Sequence, residues 1–157
     1  MAVHPLTNVM PGTFLRARRL PSSQEGAYGG RSDWLVAAYD FAVEGGAMST
    51  IGLTGTTGIP SGAIVLNVFL DVTTVPTSGG AATIAVQIEA ANDVVAAAAI
   101  TGAPWSTTGR KNGIPQAGAT SLKTTAARDV SIVIGTAALT AGVFVVYVEY
   151  TNPTANY

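Results

Sequence analysis

The most regular hydrophobic pattern of the chain is an alternation of apolar residues in two neighbouring segments. The first segment, AIVLNVFLDVTT (63–74), places on one face Ile64, Leu66, Val68, Leu70 and Val72. The second, ATIAVQIEA (82–90), does the same with Ala82, Ile84, Val86, Ile88 and Ala90. A period of two is typical of a half-buried strand, and the VPTSGG between the segments is rich in turn formers. The pattern therefore predicts an antiparallel hairpin, whose register is fixed because a slip of one residue would expose the apolar row.

Two further segments are predicted to be strands, and two more are left open. In DWLVAAYDFAV (33–43) the apolar row consists of Leu35, Ala37, Tyr39, Phe41 and Val43. In RDVSIVIG (128–135) the aligned residues are Val130, Ile132 and Ile134. VVAAAAI (94–100) is compatible with a strand or with one helical turn, and STIGLTGTTGIPSG (49–62) with a loop or a short strand.

The last predicted strand, VFVVYVEY (143–150), is apolar on both faces. Such a strand lies in the centre of a sandwich or is covered by another subunit. Its second apolar face makes Val143, Val145 and Tyr147 candidates for an oligomer interface. Together, the strands and short turns predict an all-β fold, an antiparallel β-sandwich or jelly-roll-like barrel, over residues 33–157.

Residues 1–32 lack any sustained period and contain Pro5, Pro11, Pro21 and a Gly-rich patch at 26–30. We expect an extended N-terminal arm that is ordered by the surface on which it lies, or else a frayed leader. The segment LRARRL carries Arg16, Arg18 and Arg19. These arginines suit an acidic protein surface at least as well as a phosphate backbone.

Residues 102–122 are predicted to form a long loop, since they contain several Gly and Pro residues. The loop carries Trp105, Arg110 and Lys111, which are candidates for an exposed contact. For Trp105 the alternative is that the ring fills one end of the β core.

The chain of 157 residues is poor in charge, with 48% hydrophobic and 11% charged residues. Contact with other chains explains this scarcity, although Thr, Ser and Asn also supply a neutral exterior. The net charge of −1 gives no basic field for nucleic acid or anionic lipid. The sequence begins with no secretory signal and contains no apolar span, so we expect a soluble protein made in a cytoplasm.

Catalytic chemistry is poorly supported by the sequence. Cys is absent, and the single histidine, His4, lies in the arm without a local partner. The acidic residues lack calcium-loop spacing, and GLTGTTG lacks the Lys-Ser/Thr of a phosphate-binding loop. Asp71 and Glu89 are placed near each other by the predicted hairpin, as paired carboxylates are in glycosidases, but two solvated acids are the simpler interpretation. We therefore expect no enzyme, metal, cofactor or small-molecule substrate.

The order of landmarks carries a resemblance to a known group of proteins. IPSGAIVLNVFLDVTT is followed by TSGGAATIAVQIEA, VVAAAAI, KTTAARDVSIVI and AALTAGVFVVYVEY. This order resembles small virion structural proteins of tailed bacteriophages, described as head decoration, cement or accessory proteins. The resemblance covers roughly residues 59–150, and its most specific part is the ending TTAAR…ALTAG…VEY.

The resemblance implies a module made in the host cytoplasm that coats the capsid as a homotrimer bound to the major capsid protein. In this interpretation Arg16, Arg18 and Arg19 contact the capsid. Two alternatives remain open at this point. One is a tail or head fibre component that binds host carbohydrate through the 102–122 loop. The other is a carbohydrate-binding or hydrolytic β-sandwich.

Overall fold

The computed structural model describes residues 32–53, 58–113 and 122–152. The predicted arm, including its three arginines, lies almost wholly outside the described residues. The described residues form eight strands and one short helix: β1 (Asp33–Asp40), α1 (Phe41–Glu44), β2 (Thr50–Gly52), β3 (Ile64–Ser78), β4 (Thr83–Gln87), β5 (Val95–Ala99), β6 (Gly109–Gly113), β7 (Ser131–Gly135) and β8 (Leu139–Thr151).

The strands form two four-stranded antiparallel sheets. Sheet A has the order β1-β8-β3-β6 and sheet B the order β2-β7-β4-β5. The pairs 1·8, 2·7, 3·6 and 4·5 are those of a long hairpin rolled up on itself, which is the jelly-roll arrangement. The predicted all-β sandwich is thus confirmed, with two open sheets rather than a closed barrel.

The core lies between the two sheets and contains the inward rows of their strands. Sheet A contributes Leu35, Ala37, Tyr39, Val68, Leu70, Val72, Phe144, Val146 and Val148. Sheet B contributes Ile84, Val86, Ile132 and Ile134. The inward residues predicted for β7 are confirmed, and on β8 the row Phe144, Val146 and Val148 is buried, because one side of each strand faces the opposite sheet.

The predicted hairpin between β3 and β4 is wrong. The strands lie in different sheets, and β3 continues through Pro76 to Ser78 instead of turning at VPTSGG. β6 pairs only with Val68–Val72, so Pro76 has no partner strand on that side and its missing N–H leaves no gap in a ladder. On the other side Gly142 lies against the Pro76 ring, where a Cβ would approach to 3.1 Å. This close approach explains a glycine in the middle of a strand.

The inward face of β3 differs from prediction at its start. Leu66, predicted to face inward, is 49% exposed, whereas Val65 is buried. The pairing with β8 shifts between Val65 and Asn67, which is a β-bulge, and the alternation changes face there. From Val68 onward the predicted face is correct. Along β4 the predicted row is buried as far as Ile88, but Ala90 lies beyond the strand and is exposed.

Strand β1 ends earlier than the pattern predicts. The Asp40 carboxylate accepts a hydrogen bond from the Ala42 backbone N–H at 2.9 Å and caps the one-turn helix α1. The fully buried part of the apolar row therefore ends at Tyr39. Phe41 is partly buried against the core, whereas Val43 is 70% exposed.

Three segments that were left open or assigned to loops contain strands, and β2 lies in STIGLTGTTGIPSG. VVAAAAI contains β5, at the edge of sheet B, and the 102–122 loop contains β6, at the edge of sheet A.

Trp105 is fully buried, so its assignment as an exposed contact is wrong. Its ring packs against Phe144 with 5.0 Å between centroids, and Phe144 in turn stacks on Tyr39 at 4.8 Å. The indole N–H donates to the Ile84 carbonyl at 3.2 Å, so the only polar atom of the side chain is satisfied. Trp105 thus connects the two sheets at one end of the core.

We predict that Trp105→Ala lowers the free energy of unfolding by about 3–5 kcal/mol, since it opens a large cavity between the sheets. Trp105→Phe keeps an aromatic ring but loses the N–H donor, and a smaller loss of about 1–3 kcal/mol is expected. Urea unfolding of the three proteins measures both values. A loss below about 1 kcal/mol for Trp105→Ala would contradict the burial described here.

Candidate interaction surface

The outer side of sheet A carries a group of exposed aromatic and apolar side chains. Because Leu35, Ala37 and Tyr39 face the core, the alternating residues Trp34 and Val36 face outward. Val36 lies opposite Tyr147, and Tyr147 lies opposite Phe69, so one row runs across β1, β8 and β3. We call this surface the aromatic face and define it by Trp34, Val36, Phe69, Asp71, Arg110 and Tyr147.

The rings of the aromatic face are ordered by contacts with one another. Trp34 and Phe69 are nearly parallel, with 6.0 Å between centroids and 13° between planes. The Arg110 guanidinium carbon lies 3.9 Å from the centroid of the Phe69 ring, which is a cation–π contact. Trp34, Phe69, Asp71, Arg110 and Tyr147 together surround an open hollow of about 340 Å³. The aromatic face is therefore an open, largely apolar hollow with charged side chains at its rim.

Charge is distributed unevenly across sheet A. Residues 32–53, which contain edge strand β1, have three acids and no basic residue. At the opposite edge, residues 102–113 have two basic residues and no acid. We call Asp33, Asp40 and Glu44 the β1 margin, and Arg110 and Lys111 the β6 margin. The two edges of one sheet thus carry opposite charges.

The β1 margin affects the ionisation of nearby tyrosines. Burial, and then the negative charges of Glu44 and Asp40, raise the pKa of Tyr39 to about 12. The Tyr39 hydroxyl donates to the Gly45 carbonyl at 2.7 Å and so remains a neutral donor. Burial and then Asp33 raise the pKa of Tyr150. Both ends of β1 therefore experience the field of the acidic residues.

Val143, Val145 and Tyr147, predicted as an oligomer interface, lie on the outward side of β8. Each is half-buried between the neighbouring strands β1 and β3. β8 is thus a central strand of its sheet, which was one of the two explanations expected for a strand that is apolar on both faces. The interface role itself stays a prediction.

The remaining predicted contact residues are only partly brought together. Arg110 lies on the aromatic face, whereas the Lys111 ammonium donates to the Thr108 carbonyl at 2.8 Å along the sheet edge. Trp105 lies in the core and belongs to neither group. Arg16, Arg18 and Arg19, predicted to contact a capsid, are outside the described residues.

Sequence reasoning missed Trp34, Val36 and Phe69. Trp34 is 52% exposed and Val36 is 48% exposed, both unusually high for large hydrophobic residues in a strand. The alternation of apolar and polar positions did contain a signal for this surface. Trp34, Val36 and Phe69 occupy outward positions of their strands, where polar residues are expected in a monomer.

Asp71 and Glu89 do not form a catalytic pair. Asp71 lies on β3 in sheet A, and Glu89 follows β4 of sheet B, so the wrong hairpin assignment also removes their proximity. Glu89 instead accepts hydrogen bonds from Arg128, at 2.8 Å from Nε and 3.0 Å from the terminal nitrogen, and from Thr125. This carboxylate ties the end of β4 to the segment before β7.

Metal-binding clusters are likewise not found in the part of the chain that the structure describes. Within residues 32–53, 58–113 and 122–152, no three His, Cys, Asp or Glu side chains are grouped to hold a metal ion. Among the same residues, no helix has the length and hydrophobicity that a bilayer-spanning segment requires.

Solved structures provide the comparisons with known proteins. No protein-family model matches the chain, and no curated protein matches it in sequence. Its fold is similar to a chain of the acid-stable capsid of Helicobacter pylori bacteriophage KHP30, with a TM-score of 0.53 and 18% identity over 78% of this chain and 88% of that one.

Two further capsid structures contain similar chains. For the capsid asymmetric unit of cyanophage Pam1, the TM-score is 0.56 and the identity 20%, over 80% of this chain and 88% of that one. For the capsid of Ralstonia phage GP4, the TM-score is 0.51 and the identity 16%, over 76% and 84%. The similarity thus spans most of each chain and concerns the fold.

We predict that the Glu89–Arg128 contact stabilises the protein at neutral pH and stops doing so in acid. The hydrogen bonds from Arg128 and Thr125 lower the pKa of Glu89 to about 2 from its usual 4.5. Since the folded-state pKa is the lower one, the stabilisation is full above pH 4.5 and is lost as the pH falls toward 2. Glu89→Gln is therefore expected to lower the Tm at pH 7 and to approach wild type near pH 2.

Melting curves between pH 2 and 7 test this, with Arg128→Gln as the matched variant that removes the donor instead. Both variants should flatten the dependence of Tm on pH below 4.5. An equal Tm difference at pH 2 and pH 7 would show that the contact acts through packing alone.

Proposed function

We propose that this protein is a non-enzymatic structural protein of a phage virion, a decoration or cement protein that binds the capsid surface. The observation that carries the proposal is the similarity of its fold to chains of three phage capsid structures. The location on the virion, synthesis in the host cytoplasm and binding to the major capsid protein are parts of the same proposal.

The surface properties of the chain support an assembly role. Trp34, Val36 and Leu66 are each about half exposed on the outer side of sheet A. Groups of exposed apolar side chains on a soluble domain mark sites of interaction. The described residues also contain no grouped metal ligands, and the predicted carboxylate pair is separated. We propose that the protein acts as a homotrimer, with Val143, Val145 and Tyr147 in the interface between copies.

Mechanical reinforcement is the proposed mechanism. A standard interface of about 800 Å² per partner, repeated around a shell, holds neighbouring capsid subunits together against expansion. Because each particle carries many copies and each oligomer binds through several chains, individually weak contacts become strong collectively.

The structure argues against the alternative that the protein is a fibre component that binds host carbohydrate. It depended on Trp105 as an exposed contact at a loop tip, and this ring is buried. Without Trp105, the predicted loop tip lacks the aromatic ring on which this alternative was built, so we favour the decoration role.

We predict that changing Arg16, Arg18 and Arg19 together to Gln weakens attachment to capsids without changing the folded domain. The three positive charges lie in the N-terminal segment and are proposed to contact an acidic capsid surface. Loss of three charge contacts is expected to reduce affinity about tenfold or more and to make binding less dependent on salt. Occupancy on stripped particles, measured by sedimentation across a salt series, gives both quantities.

The triple change to Lys is the control, because it keeps the charge and loses only the guanidinium geometry. Near-normal occupancy for the Lys variant and loss for the Gln variant would support an electrostatic contact. Unchanged occupancy of the Gln variant would reject these residues as the capsid contact.

A further inference from the structure

We propose that the hollow of the aromatic face is a binding site for a neutral pyranose sugar of a glycan. In this site the sugar ring packs against Trp34, and its hydroxyls bind to Asp71 and Arg110. The inference goes beyond the proposed function, since it depends neither on a capsid nor on the number of copies that associate. It also differs from the fibre alternative, which relied on the buried ring of Trp105.

The first argument is that the charged groups around the hollow are not used within the fold. Asp71 and Arg110 lie directly opposite each other on β3 and β6, where an ion pair is the expected contact. The Arg110 guanidinium instead lies over the Phe69 ring. Neither it nor the Asp71 carboxylate forms a hydrogen bond or an ion pair with a residue that the structure describes. Because Asp71 is half-buried, its unpaired carboxylate favours a ligand that donates hydrogen bonds.

The second argument is the exposed aromatic surface beside these groups. Phe69 is half-buried and is contacted by the Trp34 ring and by the Arg110 guanidinium. Trp34 itself is 52% exposed and lies on an edge strand. Its nearly parallel packing on Phe69 fixes the orientation of the indole. The ring surface that remains available to a ligand is therefore mainly that of Trp34.

The size of the hollow suits a small ligand. Its volume of about 340 Å³ is at the lower end of the range of about 300–1,000 Å³ that is typical of small-molecule sites. The hollow is open to solvent, so one sugar unit can lie against Trp34 while it stays linked to the rest of a glycan.

The charges around the hollow select against charged ligands. An anion that approaches Arg110 also meets the Asp71 carboxylate, and a cation that approaches Asp71 meets the guanidinium. Glu149 lies opposite Trp34 on the same side of the sheet and adds to the repulsion of anions. A ligand of either net charge thus meets a like charge, which favours a neutral molecule.

A neutral pyranose has the groups that this arrangement requires. Its C–H bonds carry partial positive charge and pack on the electron-rich face of an indole. Its hydroxyls both donate and accept hydrogen bonds, so neighbouring hydroxyls can donate to Asp71 and accept from Arg110. Hydrogen bonds to charged groups are the stronger class, so these two side chains are sufficient to orient the ring.

Tyr147 borders the hollow and also belongs to the proposed interface between copies. On the outer side of β8 it lies between Val145 and Glu149, and Glu149 is the residue opposite Trp34. Val143 and Val145 are therefore on the far side of Tyr147 from Trp34. An interface centred on these two valines leaves the hollow at its margin, so the site is compatible with the homotrimer.

Fluorescence titration with simple sugars tests the site. Trp105→Phe leaves Trp34 as the only tryptophan, so its emission reports contact with a ligand. The probes are the methyl glycosides of glucose, galactose, mannose and N-acetylglucosamine. At least one should shift the emission to shorter wavelength and reduce acrylamide quenching, with a Kd of about 1 mM. The uronate and the 2-amino analogue of the tightest ligand should bind about tenfold more weakly or less.

Substitutions at the hollow test which groups bind the sugar. Trp34→Ala, Asp71→Asn and Arg110→Gln should each weaken binding of the tightest glycoside about tenfold, because each removes a contact with the ligand. Trp34→Phe keeps an aromatic ring and should recover most of the affinity. Ligand-observed NMR with the otherwise unchanged chain gives the affinities, and circular dichroism establishes that each variant is folded.

Two matched variants serve as controls. Leu66→Ala removes a half-exposed apolar side chain from the same side of the sheet, away from the hollow. Lys111→Gln removes the charge next to Arg110, whose ammonium donates to the Thr108 carbonyl instead of lining the hollow. Both should bind the glycoside as the unchanged chain does.

Several outcomes would overturn the glycan site. One is the absence of binding by all four neutral glycosides, and another is tighter binding of the uronate or the amino sugar. Unchanged affinity in Trp34→Ala or Asp71→Asn would place the sugar elsewhere on the protein. An equal loss of affinity in Leu66→Ala would show non-specific adhesion to the apolar surface.

Binding to stripped capsids separates this inference from the proposed function. A protein that binds capsids but no neutral glycoside would support the decoration role and overturn the glycan site. A protein that binds a neutral glycoside through Trp34 and Asp71 but does not bind capsids would support the glycan site and overturn the decoration role.

Discussion

Pairing between β3 and β8 is the interaction on which the rest of the structure depends. Their ladder runs from Ile64 opposite Thr151 to Ser78 opposite Leu139 and joins segments more than 60 residues apart. Because β8 also pairs with β1, and β3 with β6, this one ladder determines which strands become the edges of sheet A. It also positions Phe144, on which both Tyr39 and Trp105 pack. The β3–β8 ladder therefore organises both the core and the outer surface of sheet A.

Much of the strand content could be predicted from the sequence, but the pairing could not. A period of two reports which side of a strand is buried, as the correct inner rows of β7 and β8 illustrate. It carries no information about which strand lies alongside, so β3 and β4 were joined in a hairpin although they belong to different sheets. The local signal at Pro76 was misleading, because a strand tolerates proline wherever its neighbour has ended.

The interaction surface was harder to predict than the fold, for a related reason. Neither Trp105 nor Trp34 has another aromatic residue within four positions of it in the sequence. One is buried because it meets Phe144 and the Ile84 carbonyl from distant parts of the chain, and the other lies on an edge strand. Likewise, the bulge that turns Leu66 outward is set by the register with β8. Exposure at these positions is a property of the whole sandwich.

The composition of sheet B has a consequence for how the molecule meets its surroundings. Its strands present hydroxyls, methyl groups and a single amide, with neither an ionisable group nor an aromatic ring. Such a surface has little to offer a passing macromolecule beyond weak dispersion and ordinary hydration. Specific contacts made through a face of the sandwich are therefore expected on the outer side of sheet A, where aromatic rings and a guanidinium lie together.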